Sequence, residues 1–167
     1  MSIIIERARP KDAAEILEYL KKIGGETDNL SFGKEGLAFT AEAEANYIAK
    51  IENSRDDVML IAKDDDKIVG TASLARLPRR MAHRGDVSVS VLRTYWNKGI
   101  GGRLLAEVID FARNNSFEVI DLQVRSDNLA AIHLYEKFEF EKIGTHPAFF
   151  KRDGEAVPFD YMILKIK

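Results

Sequence analysis

The stretch Val87-Ser88-Val89-Ser90-Val91-Leu92-Arg93-Thr94-Tyr95-Trp96-Asn97-Lys98-Gly99-Ile100-Gly101-Gly102-Arg103-Leu104-Leu105 decides how the rest of the chain is read. Its first part alternates with period two. Val87, Val89 and Val91 fall on one face of a strand, and Asp86, Ser88 and Ser90 fall on the other. Its last part opens a helix, because Ile100, Leu104, Leu105, Val108, Ile109 and Ala112 recur at helical spacing. Gly99, Gly101 and Gly102 stand where strand becomes helix. Amides at a helix N-terminus point one way, and the helix dipole favours negative charge there. Without Cβ atoms, these glycines would let a phosphate approach the backbone, with Lys98 and Arg103 adding charge at the rim. A glycine turn that merely packs tightly fits the same residues. Two sharper phosphate motifs do not: no Lys-Ser/Thr follows the glycines as a P-loop needs, and Leu104 stands where a dinucleotide fingerprint needs its third glycine or alanine.

Working outward, Ile3-Ile4-Ile5 reads as a strand, and Ala13, Ile16, Leu17, Leu20 and Ile23 as a helix that Gly24-Gly25 stops. A glycine-bearing loop from Gly25 to Phe39 precedes a second helix from Thr40. Glu42 and Glu44 lie in its first turn and Tyr47, Ile48 and Ile51 on its buried side. Val58–Lys63 and Ile68–Leu77 form a predicted hairpin around Asp64-Asp65-Asp66-Lys67, and Asp86–Val91 is the next strand. After the long helix come an apolar strand over Val119–Val124 and a short helix carrying Ala131, Leu134, Tyr135 and Phe138. Strands at Phe140–Ile143 and Asp160–Ile166 close the fold around an irregular segment. The order β-α-α-β-β-β-α-β-α-β-β predicts a single α/β domain over residues 1–167: one mixed sheet with helices on both faces.

Composition removes several function classes. The chain has 167 residues, and 25 Lys+Arg against 27 Asp+Glu give a formal charge of −2, so no global basic field favours nucleic acid. The locally basic Arg76–Arg84 segment reads as a solvated turn, or as a contact for a nucleotide phosphate. With no cysteine, disulfides, thiolate metal sites and a Cys nucleophile are excluded. His83, His133 and His146 have no metal-ligand spacing, so no metal is expected. Apolar runs fall far short of the ~20 residues of a membrane span. Met1-Ser2-Ile3-Ile4-Ile5-Glu6 lacks the basic start of a signal peptide, so a cytoplasmic location with no membrane partner is expected.

Tyr95-Trp96-Asn97-Lys98-Gly99-Ile100-Gly101-Gly102 resembles the pyrophosphate-binding loop of the GNAT superfamily of acetyl-CoA-dependent N-acetyltransferases. The family pattern is Gln/Arg-x-x-Gly-x-Gly/Ala, and Trp96 departs from it at the first position. Asn128-Leu129-Ala130-Ala131-Ile132-His133-Leu134-Tyr135-Glu136-Lys137-Phe138-Glu139-Phe140 resembles the family's Asn-x-x-Ala-x-x-Leu-Tyr-x-x-x-Gly-Phe segment, with Glu139 replacing the glycine. The resemblance implies an acyl-CoA N-acyltransferase-like fold: a twisted, mostly antiparallel sheet of six to seven strands flanked by about four helices. It implies acetyl-CoA as cosubstrate and an amine as acceptor.

Carried over position by position, the resemblance puts Val89, Ser90 and Val91 against pantetheine, with the Val91 amide facing the thioester carbonyl. It puts Asn97, Lys98, Gly99, Ile100, Gly101 and Gly102 around the pyrophosphate. Tyr135 matches the tyrosine near the thioester sulfur; a phenol with an ordinary pKa of about 10 is protonated at neutral pH and can donate to a departing thiolate. The same tyrosine would also serve as a core aromatic on its helix. Asn128 suits either a helix cap or a partner of the pantetheine amides. Asp86 is a candidate general base, or an exposed acid at a strand end. Glu26 and Asp28 are candidate acceptor-site acids, or solvated loop residues. Without cysteine, direct attack of a neutral amine on the thioester, through a tetrahedral intermediate, is the economical mechanism. A CoA-binding regulatory module that lacks turnover fits the same loop. An edge near residues 160–167 could pair with a second copy as a homodimer.

Overall fold

A computed structural model describes residues 2–166. Seven strands form one sheet: β1 (Ile3–Arg7), β2 (Asp57–Asp64), β3 (Lys67–Arg76), β4 (Arg84–Val91), β5 (Val119–Arg125), β6 (Glu141–Arg152) and β7 (Glu155–Lys165). Four helices accompany them: α1 (Ala13–Glu26), α2 (Ala41–Ile51), α3 (Ile100–Asn114) and α4 (Leu129–Lys137). The sheet order is β1-β2-β3-β4-β5-β7-β6, and every neighbouring pair is antiparallel except β4 with β5. A parallel pair needs a long crossover, and α3 supplies it. The expected architecture and element order are both present. Among the described residues no helix is long and apolar enough to cross a membrane.

The hydrophobic core extends beneath α3. Leu104, Leu105, Val108 and Ala112 are fully buried there, over a sheet face that includes Leu74, Ile120 and Leu122. Gly85 on β4 lets Phe117 pack directly on the sheet, since a Cβ there would come within 2.6 Å of the ring.

Four expectations are corrected. Gly24-Gly25 does not stop α1, which runs on to Glu26. The pair serves close approach instead: a Cβ on Gly24 would sit 2.0 Å from the Gly33 carbonyl, and one on Gly25 would sit 3.3 Å from the Lys34 Cβ. The buried stripe of α2 is Glu44, Ile48 and Ile51, while Tyr47 flanks it and is 45% exposed. The segment read as irregular between two short strands is instead a long β6–β7 hairpin. Asp153 and Gly154 turn it at φ 51° and 80°, and register shifts at Lys142/Gly144 and His146/Phe150 interrupt it. Finally, residues 160–165 are no sheet edge, because β7 is paired on both sides; the outer strand is β6.

Candidate functional site

β4 and β5 are paired only from Arg84↔Val119 to Asp86↔Asp121. Beyond that point β4 stays with β3 as far as Gly70↔Val91, whereas β5 stays with β7 as far as Arg125↔Phe159. The two strands therefore part, and among the described residues their facing edges have no strand partner. The Leu92 amide donates to the Val69 carbonyl at 2.9 Å, so strand alternation turns the peptide groups of Val87, Val89 and Val91 toward the gap. The Trp96 indole N–H donates to the Val91 carbonyl at 2.8 Å, closing one of these acceptors.

The loop after β4 opens α3 onto the mouth of the gap. Asn97 and Gly99 take left-handed conformations, φ 59° and 77°, which turn the chain sharply into the helix. The Tyr95 hydroxyl donates to Asp64 Oδ2 at 2.8 Å and ties the loop to the β2–β3 hairpin. Arg103 N–H donates to the Gly99 carbonyl at 3.1 Å, the first helical bond, so the amides of Ile100, Gly101 and Gly102 are first-turn donors with no carbonyl behind them. Cβ atoms on Gly101 and Gly102 would reach to 3.4 and 3.7 Å from Leu134, so their absence widens the groove between α3 and α4.

Helix α4 forms the opposite wall. Asn128 caps it, its Oδ1 accepting from the Ala131 amide at 3.3 Å, which leaves its side-chain NH2 for another partner. One helical stripe later stands Tyr135, 8% exposed, with its ring 5.7 Å from that of Phe140. Burial pushes its phenol up to about 12. Among the described residues nothing accepts from or donates to its hydroxyl. A groove of about 420 Å³ runs between these walls.

This groove brings together Val89, Ser90, Val91, Asn97, Gly99, Ile100, Gly101, Gly102, Asn128 and Tyr135. Lys98, Asp86, Glu26 and Asp28 lie outside its lining. Asp86 sits at the base of the gap, half-buried, accepting from Gln123 Nε2 at 3.0 Å. Burial raises its pKa, the Gln123 bond opposes that, and the neighbouring Asp121 raises it further. Asp121 is itself buried: Oδ2 pairs with Arg84, while Oδ1 has no partner among the described residues. The Glu26 carboxylate accepts from the Arg93 amide at 2.8 Å, and its carbonyl takes the Arg93 guanidinium. Asp28 is ion-paired with Arg152, and its carbonyl accepts from Arg125 at 3.3 Å. Both acids thus fasten the α1–α2 loop to other parts of the fold. No group of three or more His, Asp or Glu side chains suited to a metal occurs among the described residues.

Several groove residues had no signal in the sequence. Ile23, Thr27 and Leu30 reach the groove from α1 and the loop after it. Tyr19 supports Ser90 from beneath: its hydroxyl is 2.9 Å from Ser90 Oγ, which is 3.0 Å from Thr71 Oγ1. Burial pushes the Tyr19 phenol up to about 12. Its only hint was its place near the Ile16–Ile23 stripe.

Residues 28–140, more than half of the chain, match a family model described as the acetyltransferase (GNAT) family. The chain is 36% identical over 94 residues to the N-alpha-acetyltransferase RimI of Mycobacterium tuberculosis, covering 56% of this chain and 58% of that protein. It is 35% identical over 106 residues to the L-amino acid N-acetyltransferase AaaT of Escherichia coli, covering 62% and 65%. The matched stretch spans between 25% and 65% of the length of these and one further curated relative. In structure, the chain is similar to an acetyltransferase of the GNAT family from Streptococcus pneumoniae. The TM-score is 0.94 at 30% identity, with 99% of this chain and 100% of that one covered.

Proposed function

The chain belongs to the acetyltransferase (GNAT) family, and from that premise we propose that it is an acetyl-CoA-dependent N-acetyltransferase acting on a primary amine of a small molecule or peptide. One observation carries this reading: the parted end of β4, the first turn of α3 and Tyr135 line one groove. In the proposal the whole chain serves as one such domain, working in the cytoplasm without a metal.

The amides of Ile100, Gly101 and Gly102 take the pyrophosphate, because they are oriented, unpaired and at the positive end of a helix. Asn97, Gly99 and Lys98 shape and charge the rim of that cradle. The open peptide groups of Val89 and Val91 pair with the pantetheine amides as a strand would, Ser90 between them holds β4 to β3, and the Asn128 NH2 adds a donor from the other wall. The Val91 N–H then faces the thioester carbonyl, where a preset donor stabilises the oxyanion of the tetrahedral intermediate.

The amine attacks the carbonyl carbon, the C–S bond breaks, and the thiolate needs a proton. Tyr135 supplies it. A phenol held near 12 stays protonated at any working pH, and the burial that raises it would also raise a thiolate set beside it. The proton lost by the amine passes through water to Asp86 at the base of the gap, whose raised pKa makes it a better base than an ordinary carboxylate. Glu26 and Asp28 contribute by holding the α1–α2 loop over the groove. Release of free CoA thiol from acetyl-CoA, measured across a panel of amines, tests the reading. Tight CoA binding with no acceptor-dependent thiol would mark a binding module instead.

A further inference from the structure

A second cleft, also about 420 Å³, lies between the α1–α2 loop and the tip of the β6–β7 hairpin. Thr27 and Leu30 line both this chamber and the groove described above, so the two spaces share a wall. The chamber is built by close packing. Gly24 and Gly25 let the loop settle onto α1, with the Gly33 carbonyl against one and the Lys34 stem against the other. The Asp28–Arg152 ion pair joins the loop to the hairpin.

Its lining divides by chemistry. Leu30, Phe32 and Phe150 supply apolar surface, and Phe150 is steadied by Phe159, with ring centroids 4.9 Å apart. Five lining residues are charged: Lys34, Lys151 and Arg152 against Asp28 and Glu35. Both acids are already engaged. Asp28 holds Arg152, and Glu35 accepts from the Gly33 amide at 2.9 Å, an interaction that keeps its pKa below the ordinary value. Lys34 and Lys151, by contrast, are exposed and make no ion pair among the described residues. A chamber whose acids are committed and whose lysines are not discriminates against a purely cationic acceptor and in favour of one that carries an anion.

We propose that this chamber is the acceptor site and takes an α-amino acid, with Lys34 and Lys151 holding its carboxylate and Leu30, Phe32 and Phe150 covering an apolar side chain. The amine then enters the groove over Thr27 and Leu30. The proposal rests on the acetyl-transfer reading above and adds to it the class of amine.

The test separates the two by measuring binding as well as turnover. Leucine, leucinamide and 3-methylbutylamine are titrated calorimetrically into the CoA-saturated protein. The amide lacks the charge, and the alkylamine lacks the whole carboxyl group. Leucine should bind about tenfold tighter than either, the scale of a lost charge-assisted contact. In the Lys34→Gln/Lys151→Gln variant that preference should collapse while CoA affinity is unchanged. Equal or tighter binding of leucinamide or 3-methylbutylamine would overturn the proposal. So would failure of leucine to bind, or a preference that survives both substitutions. Carboxylate-selective binding without thiol release would leave the site standing and remove the transfer reaction.

Discussion

Tyr135 is almost wholly buried and lines the groove, and its hydroxyl has no hydrogen-bond partner among the described residues. Tyr135→Phe removes the proposed proton donor and leaves nearly all of the packing against Phe140. The acetyl-CoA dissociation constant should then change little while kcat falls by about 10²-fold, the range of a lost general acid. Unchanged kcat in a folded variant, with chemistry rate-limiting, would assign the tyrosine to the core alone. Asp86 makes a different prediction. Its pKa is raised chiefly by burial, so the folded protein holds its proton to higher pH than the unfolded chain does. Stability associated with this group is therefore lost as pH rises through its folded pKa, and a penalty remains at neutral pH. Asp86→Asn keeps the oxygen that Gln123 reaches. It should lower kcat yet raise the Tm at pH 7, with the gain shrinking at a pH below the ordinary carboxylate range. A lower Tm at pH 7 would mean that the carboxylate is held by a favourable partner.

At the scale of elements, the site depends on where β4 leaves β5 and where α3 begins. Gly101→Val tests the second of these. Its Cβ would stand 3.4 Å from Leu134, and its γ-carbons would lie across the groove wall beside the first-turn amides. CoA affinity should drop by at least about tenfold, as expected when charge-assisted contacts are lost, while the protein stays folded. Unchanged affinity in calorimetry would place the pyrophosphate elsewhere. This junction was legible in the sequence, because alternation, glycines and helical spacing follow one another without interruption from Val87 to Ala112. The β6–β7 hairpin was not, since two register shifts, Pro147 and Pro158 break the period that would announce it. Nor were the partners of Glu26 and Asp28. Arg93 and Arg152 are remote along the chain, and no local pattern encodes a contact that only the sheet order creates.

For the molecule as a whole, the groove crosses the centre of the sheet. Its walls come from β4, α3, α4 and the end of α1, so a ligand there bridges elements that otherwise meet only through the core. Binding to the native state alone stabilises it by about 2.7 kcal/mol at a ligand concentration of 100 Kd. For a chain of this length that corresponds to a rise in Tm of roughly 5–10 °C with saturating CoA. Gly101→Val should lose most of that rise at the same CoA concentration. A CoA-independent Tm would argue that the groove does not hold the cosubstrate. The most direct test of acetyl transfer itself is a time course of free thiol from acetyl-CoA with and without an amine, alongside the mass of the amine product. Acetyl transfer predicts thiol release that requires the amine and matches N-acetylated product one to one. Thiol release at the same rate without amine, or amine left unmodified at saturating acetyl-CoA, would contradict it.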